Sequence, residues 1–419
     1  MQTTLRIALR FLLAKRGAML MSLTGIAFGV GFIVLTQAIT AGFQGFFVQT
    51  ILGADGALRV EDKIQLLKVS VEAETTIKNK KRPADAVSVE SDRRYQSGVA
   101  EPRLQIEAIR RISEVNGISE VVRGNVVIQS ATREDTAQIF GINLDDHLAV
   151  SDLGKQIVLG SAADFREAPA GIMMGTALAD RLRVRLGDSV LVGYGGQSTR
   201  YKVAAIYETG VRDIDRVRVF MHLGEARTLL QRPFGATFLQ IGLRDPDRAR
   251  ELALLIQDLV EHRVTSWQER EKTWLGVFSA LRVSSGITVS VFTLIAGLAM
   301  FNTLAMIVME KTKEIAILRS MGFTRRDIAM TFMLQGMLVL CAGLILGWLF
   351  GAGCTFVTEH MPIRVRGIFS TDHVVVAWSL SHYLGAGLAA AVVVVLASWF
   401  PARRAARMEP ADIIRGASQ

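Results

Sequence analysis

An α-helical membrane protein with four transmembrane helices in a one-plus-three arrangement, with a large α+β domain between the first and second, is the fold class that three observations predict. The first is a set of four long apolar stretches at residues 18–41, 283–309, 328–357 and 383–400. Each approaches or exceeds the ~20 apolar residues that a helix needs to cross ~30 Å of hydrocarbon. The second is the placement of bases: Arg6, Arg10, Lys15 and Arg16 precede the first stretch, Lys311, Lys313, Arg319, Arg325 and Arg326 lie between the second and third, and Arg403, Arg404 and Arg407 follow the fourth. The positive-inside rule makes these three segments cytoplasmic, which puts residues 42–282 and the shorter loop 358–382 outside and both termini inside. The third is composition: 50% of the residues are hydrophobic and mean hydropathy is +0.32, yet 21% are charged, and the charges gather outside the apolar stretches.

Residues 1–17 read as a short cytoplasmic amphipathic helix, with Leu5, Leu9, Leu12 and Leu13 on one side and Arg6 and Arg10 on another, suited to the inner membrane surface. Bases before an apolar run also describe a cleavable signal peptide. A signal core is only ~7 to 15 residues long and ends at a small-residue cleavage site. The uncharged run here extends from Gly17 to Ala54 without a clear A-x-A, so a retained helix is expected. In the external part, residues 61–102 are polar and mixed in charge, with Lys78, Lys80, Lys81, Arg82 and Pro83 close together, and read as an inserted segment.

From Leu104 the pattern becomes regular. A helix-like LQIEAIRRISEV is followed by the β-rich runs ISEVVRG, VVIQSA and TAQIFGINL, which make a first α+β module. In the second, GIMMGTALADRLRVRLGDSVLVGY reads as strand, short helix, Gly-Asp turn and strand, followed by YKVAAIYETG, the turn VRDIDRVR, the strand VFMHL and a helix from about Gly224. The piece from Asp247 to Leu281 reads as helical and, with no breaker before Gly286, as continuing directly into the second span, a rigid link between external domain and membrane. Both cysteines, Cys341 and Cys354, fall in the third span, so the external domain has no disulfide and relies on its core.

The chemistry the sequence lacks narrows the function. No G-x-x-x-x-G-K-[ST] phosphate cradle is present, so the chain has no P-loop for ATP. His147, His222, His262, His360, His373 and His382 are scattered without metal-ligand spacing and read as core or surface residues. No G-x-S-x-G elbow occurs and no cysteine lies outside the spans, so the chain reads as no enzyme in itself. The net charge of +9 fits cytoplasmic flanks facing anionic lipid better than a nucleic-acid partner.

The centres of the spans contain no Asp, Glu, Lys or Arg, whereas ion-coupled transporters keep such groups there. Any work done by the chain must therefore be powered from elsewhere. Gln37, Asn302 and Gln335 are the strongest polar residues near the spans and are expected to bond between helices. Gly25 and Gly29 in the first span, and Gly343, Gly347 and Gly351 in the third, mark small-residue packing faces, either within the chain or between two copies. The cytoplasmic loop 310–327, within MEKTKEIAILRSMGFTRRDIA, carries an apolar stripe of Ile315, Ile317 and Leu318 and breaks at Gly322. It is either a surface connector or a docking element for a cytosolic partner.

That loop resembles the coupling-helix region of MacB/FtsX-type ABC transporter permeases, and the terminal FPARRAARMEPADIIRG, which leads from Phe400 into the tail 401–419, resembles their C-terminal signature. LGDSV, AIYETGVRDIDRVRVFMHLGEARTLL and RFLLAKRGAMLMSLTGIAFGVGFIVL, followed by GFQGFFVQTILG, are similar to the LolC/LolE lipoprotein-releasing branch. The resemblance departs at residues 61–102, and no counterpart of that branch's carrier-binding hook is legible.

The resemblance implies a mechanotransmitting permease of the bacterial inner membrane that binds no cofactor of its own. Two copies of a separate ABC ATPase subunit would hold ATP and Mg, and a second permease copy, identical or not, would complete the unit. Their closure would push on Glu310, Lys311, Glu314, Ile315, Leu318, Arg319 and Gly322. Lipoprotein or other lipid-anchored cargo would enter beside Phe28, Phe32, Met300 and Phe301, residues that equally fit plain lipid contact or helix packing. Three functions follow from the resemblance: extraction of lipid-anchored cargo from the inner membrane, MacB-like efflux with a periplasmic adaptor, or FtsX-like regulation of an external hydrolase. The large external domain and the first span favour extraction over regulation, extraction and efflux stay open with a lean to extraction, and a periplasmic carrier or adaptor would be a further partner.

Overall fold

The computed structural model describes Ala8, Arg10 and residues 16–62, 98–260, 262–361 and 374–407. The amphipathic N-terminal segment, nearly all of the inserted segment and the end of the C-terminal signature lie outside these. The described residues fall into two compact units: a helical unit of residues up to 46, 276–361 and from 374 on, and a mixed unit built from Phe47 to Leu275.

In chain order, helix α1 (Arg16–Asp55) leads into β1 (Leu58–Glu61), and then come α2 (Pro102–Ile109), β2 (Val115–Gln129), β3 (Glu134–Ile142), α3 (Leu144–Leu148), α4 (Leu153–Gln156) and β4 (Ile157–Gly160). Next are α5 (Ala162–Glu167), β5 (Gly171–Gly175), α6 (Thr176–Leu182), β6 (Ser189–Tyr194), β7 (Gln197–Tyr207), α7 (Arg212–Val217), β8 (Arg218–His222) and α8 (Leu223–Leu229). The chain then forms β9 (Phe238–Leu243), α9 (Ala249–Leu259), β10 (Arg263–Ser266) and α10 (Trp267–Arg270) before the long helices α11 (Lys272–Glu310), α13 (Arg325–Glu359) and α14 (Leu380–Ala406), with the short α12 (Thr312–Ser320) between α11 and α13. Among the described residues, α1, α11, α13 and α14 are long and apolar enough to cross a membrane.

In the mixed unit β2 is shared. Its first half pairs with β9, and its second half pairs with β3 and, at Val127–Gln129, with β6. The pairings β2–β3, β3–β8, β8–β5, β5–β7, β7–β6 and β6–β2 close a six-stranded ring. Period-2 alternation sorts the ring's residues: Ile172, Met174, Val219 and Met221 join one core, while Met173 and Phe220 join another on the opposite face. Gly141 of β3 permits the close approach of α8, because a Cβ there would lie 2.2 Å from the Ala226 Cβ. The other wing, β9–β1–β10, is covered by α9, whose Ala249, Leu252, Ala253 and Ile256 share one helical face and are all buried.

The two modules expected in succession are thus one continuous sheet, and ISEVVRG and VVIQSA form a single strand. Two further readings are corrected. VRDIDRVR is mostly the helix α7 followed directly by β8, not a turn. The piece from Asp247 to Leu281 is not one helix, because β10 interrupts it by pairing antiparallel with β1 from Leu58–Ser266 to Glu61–Arg263. From Lys272 onward it does run unbroken into α11.

His147 is a buried core histidine, with Nδ1 3.0 Å from the Ser119 Oγ. Burial, and then the Arg218 charge, push it down to about 3, only partly opposed by Asp55. A depressed base stabilises the fold above its ordinary pKa of 6.5 and loses that contribution as pH falls, at about 1.4 kcal/mol per unit, because the unfolded chain takes up a proton that the folded one refuses. Asp215 has the opposite sense, being pushed up by burial to about 6, so its contribution is lost as pH rises through that value. His147→Gln keeps a partner for Ser119 and leaves Asp215 untouched. Denaturant unfolding of the full chain in detergent between pH 6.5 and 5 is expected to show a stability difference between wild type and His147→Gln that shrinks by about 2 kcal/mol toward acid. A pH-independent difference would reject a neutral buried His147.

The helical unit has its own core, built from Ile26, Val30 and Val34 of α1, Met300 and Leu304 of α11, Phe332, Val339 and Leu340 of α13, and Ala390 and Val394 of α14. The glycines of α13 seat α1. A Cβ at Gly343 would lie 2.7 Å from Ile26, one at Gly347 2.8 Å from Val30, and one at Gly351 3.0 Å from Val34. Small residues let the backbones approach until these β-branched side chains fill the groove, which is how apolar helices associate without a hydrophobic drive. Gly25 faces Ala296 of α11 at 3.8 Å, whereas Gly29 borders a small cavity lined also by Ile33, Thr293 and Val393. A hydrogen bond of 2.7 Å between Ser22 and Thr303, which the sequence reading does not anticipate, joins α1 to α11.

Candidate functional site

The candidate site is the turn between α11 and α13. Helix α11 ends at Glu310, where the Thr312 hydroxyl donates back to the carbonyls of Val308 (3.0 Å) and Met309 (2.6 Å) and satisfies the last turn. Lys311 leaves the helical conformation, yet the bonds from the Lys311 amide to the Ile307 carbonyl and from the Ile315 amide to the Lys311 carbonyl, both 2.9 Å, carry the buried face of α11 on into α12. Its ammonium pairs with Glu314, an exposed contact worth little by itself.

The phase of α12 gives it two faces. Ile315 and Ala316 are buried in the core of the helical unit, and Leu318 and Phe323 pack partly against the same core. Arg319 donates to the Ala406 carbonyl at 3.0 Å, tying α12 to the last turn of α14 beside Arg403 and Arg404. Outward stand Lys313, Glu314, Ile317, Ser320 and Met321, with Ile317 58% and Met321 73% exposed. Positions 313, 317 and 320 or 321 share one stripe of a helix.

Gly322 closes the element. At φ +97° it takes the left-handed conformation that favours glycine, the Phe323 amide bonds the Leu318 carbonyl at 3.2 Å, and nothing lies near a would-be Cβ. A capping box then starts α13: the Thr324 hydroxyl accepts from the Asp327 amide, and the Asp327 carboxylate accepts from the Thr324 amide at 2.9 Å. Both ends of α12 are therefore locally defined.

Glu310, Lys311, Glu314, Ile315, Leu318, Arg319 and Gly322 thus occupy one turn, but in different roles. Glu310 and Glu314 are exposed, whereas Ile315 is seated inside and Leu318 and Arg319 are half-buried. Ile317 and Met321 form the outward apolar pair. The sequence reading places Ile317 in the stripe with Ile315 and does not single out Met321; the signal it lacks is the buried face of α11 at Leu304 and Ile307, which continues to Ile315 and leaves positions 317 and 321 outside.

Of the residues singled out for cargo, Met300 is buried in the helical core. Phe28 is exposed and meets Phe350 edge-on at 4.9 Å, Phe32 stands 5.0 Å from Phe292, and Phe301 is half-buried. Phe28 and Phe32, one turn apart, give α1 an aromatic outer edge. Gln335 donates to the Ala8 carbonyl at 3.3 Å, whereas Gln37 and Asn302 are exposed. No group of acidic, histidine or cysteine side chains able to hold a metal occurs among the described residues.

Residues 19–259 match the family described as the MacB-like periplasmic core domain, and residues 286–410 match the FtsX-like permease C-terminal region. The chain is similar to the lipoprotein-releasing system transmembrane protein LolC of Xylella fastidiosa, 25% identical over 447 residues that cover 98% of each chain. It is also similar to the lipoprotein-releasing system transmembrane protein LolE of Haemophilus influenzae, 24% identical over 421 residues, 94% of this chain and 93% of the relative. Among solved structures, the periplasmic region of MacB from Actinobacillus actinomycetemcomitans matches 53% of this chain and 93% of its own at 10% identity, with a TM-score of 0.34.

Proposed function

The chain belongs to the MacB/FtsX-type ABC transporter permease family, and on that premise we propose that it is the membrane subunit of a machine that draws lipoproteins or other lipid-anchored cargo out of the bacterial inner membrane. In this reading α1, α11, α13 and α14 span the membrane as one plus three, both termini and α12 are cytoplasmic, and the mixed unit is periplasmic. ATP and Mg are held by two copies of a separate ATPase subunit, and a second permease copy completes the assembly. The cargo class rests on the lipoprotein-releasing relatives and their near full-length match.

The observation that carries the coupling role is the division of α12. A plain connector has no need to hold Ile317 and Met321 in solvent on a helix whose other face is fixed in the core. A partner groove gains by burying such anchors, which resemble the central apolar residues of binding hot spots. Force applied at Glu310, Glu314 and Ile317 then enters α11 through Lys311 and α14 through the bond from Arg319 to Ala406. Phe28 and Phe32 are proposed to line the cargo entry on α1.

Co-purification of the tagged chain from native membranes, with mass spectrometry of the retained proteins, tests the assignment. An ATPase subunit with a lipoprotein or soluble lipoprotein carrier is expected. An ATPase with an efflux adaptor or a cell-wall hydrolase would replace extraction by efflux or regulation.

A further inference from the structure

Within the mixed unit, the outer end of α1 is held by charges that α1 does not supply. Its last turn has no basic residue, although a helix C-terminus leaves carbonyls unbonded and carries partial negative charge. Two arginines distant in sequence provide the caps. Arg218, the first residue of β8, donates Nη1 to the Ala54 carbonyl at 3.1 Å and pairs Nη2 with the Asp55 carboxylate at 2.9 Å. Arg270, the last residue of α10, donates Nη2 to the Gly56 carbonyl at 2.9 Å.

Asp55 is also approached by Arg59 at 3.4 Å and by the Gln240 amide at 3.3 Å. Aromatic rings hold the guanidinium planes, with Arg218 4.3 Å above Phe140 and Arg59 4.4 Å above Phe238. Arg218 is buried and Asp55, Arg59 and Arg270 are nearly so, so each charge depends largely on the others for solvation. Two residues after Arg270 the chain enters α11, whose Trp274 ring lies 5.4 Å from Phe47 of α1. The end of α1, the start of α11 and a strand of the six-membered ring therefore converge on one salt-linked point.

We propose that Asp55, Arg218 and Arg270 form the joint through which a displacement of α11 is passed to α1 and to the ring of strands, which makes them positioning residues of the transport cycle. This rests on the permease reading above. Arg218 grips two acceptors at once, the Ala54 carbonyl and the Asp55 carboxylate, and loss of either partner is costly because the other charge is left unpaired in a largely buried place.

The test uses the full chain with its ATPase partner in lipid nanodiscs, in a Cys341→Ala, Cys354→Ala background with spin labels at Thr273→Cys on α11 and Thr199→Cys on β7, both exposed positions. Wild type is expected to give a narrow distance distribution without nucleotide and after trapping with ATP and vanadate. Arg270→Met, which leaves the Asp55–Arg218 pair in place and so preserves the fold, is expected to broaden it at least twofold. ATP-driven release of a fluorescent diacylglyceryl-cysteine lipopeptide should fall at least tenfold while ATP turnover persists. Arg218→Met should behave likewise, and Arg218→Lys, which has neither the second donor for Ala54 nor the plane over Phe140, should give only part of the wild-type release. Unchanged width and release in Arg270→Met would overturn the joint. Absence of ATP-driven release in wild type would instead overturn the permease reading, and the nucleotide-free widths would still decide the joint.

Discussion

Ile317→Asp is expected to abolish ATP-driven transport and to release the ATPase subunit, with the membrane chain still inserted and folded. The side chain stands in solvent on the outward face of α12, so a carboxylate costs the isolated chain little. In a partner groove the same carboxylate is desolvated beside an apolar anchor, and hot-spot losses of 2 kcal/mol or more correspond to about 30-fold weaker binding. Glu314→Lys on the same face adds like charge beside Lys313 and should act in the same direction. Leu318→Asp should also stop transport, but through a different cause. It places a charge against the core that holds α12, so the loop itself loosens. Pull-down of the ATPase alongside thermal unfolding separates the cases: Ile317→Asp loses the partner at constant Tm, and Leu318→Asp lowers both. Normal binding and transport by Ile317→Asp would remove the docking role from α12.

The second large effect is expected at Gly347. Leucine there drives a side chain into Val30, 2.8 Å from the would-be Cβ, and against the Ala27 carbonyl at 3.0 Å, so α1 and α13 must separate. Overpacking of this kind costs about 3 kcal/mol. Gly353, on the same helix, has nothing within 4 Å of a would-be Cβ, and Gly353→Leu should be nearly neutral. Thermal unfolding in detergent checks the pair: a large fall for Gly347→Leu alone is expected, and equal behaviour would place the α1 contact elsewhere.

These two sites differ in how far the sequence reveals them. The glycines at 343, 347 and 351 are legible because small residues four apart line one helical face, and Ile26, Val30 and Val34 repeat with the same spacing. Which of Ile315, Ile317 and Leu318 faces outward is not legible from those three alone, because all are apolar and close in sequence; the burial of Ile315 follows from the face that α11 buries at Leu304, Ile307 and Val308. Hydropathy also understates the long helices. It marks residues 18–41, yet α1 continues through Gln44 and Gln49 to Asp55, since a helix does not end where its apolarity does.

Strand β10 escapes notice for another reason. Its four residues pair with β1, about two hundred positions earlier, and no local signal outweighs the helical pattern on both sides. The cluster at Asp55 is of the same kind. Positions 55, 59, 218, 240 and 270 carry no common spacing, and only closure of the sheet brings them together.

The central claim is that this chain converts ATP hydrolysis by another subunit into extraction of lipid-anchored cargo. The most direct measurement is reconstitution of the purified chain with its co-purifying ATPase in proteoliposomes containing a triacylated lipoprotein, followed by assay of lipoprotein recovered in solution. The account predicts release that requires ATP, stops with vanadate and is lost in Ile317→Asp. Vanadate-sensitive ATP hydrolysis with all of the lipoprotein left in the membrane, even with a soluble carrier present, would contradict it.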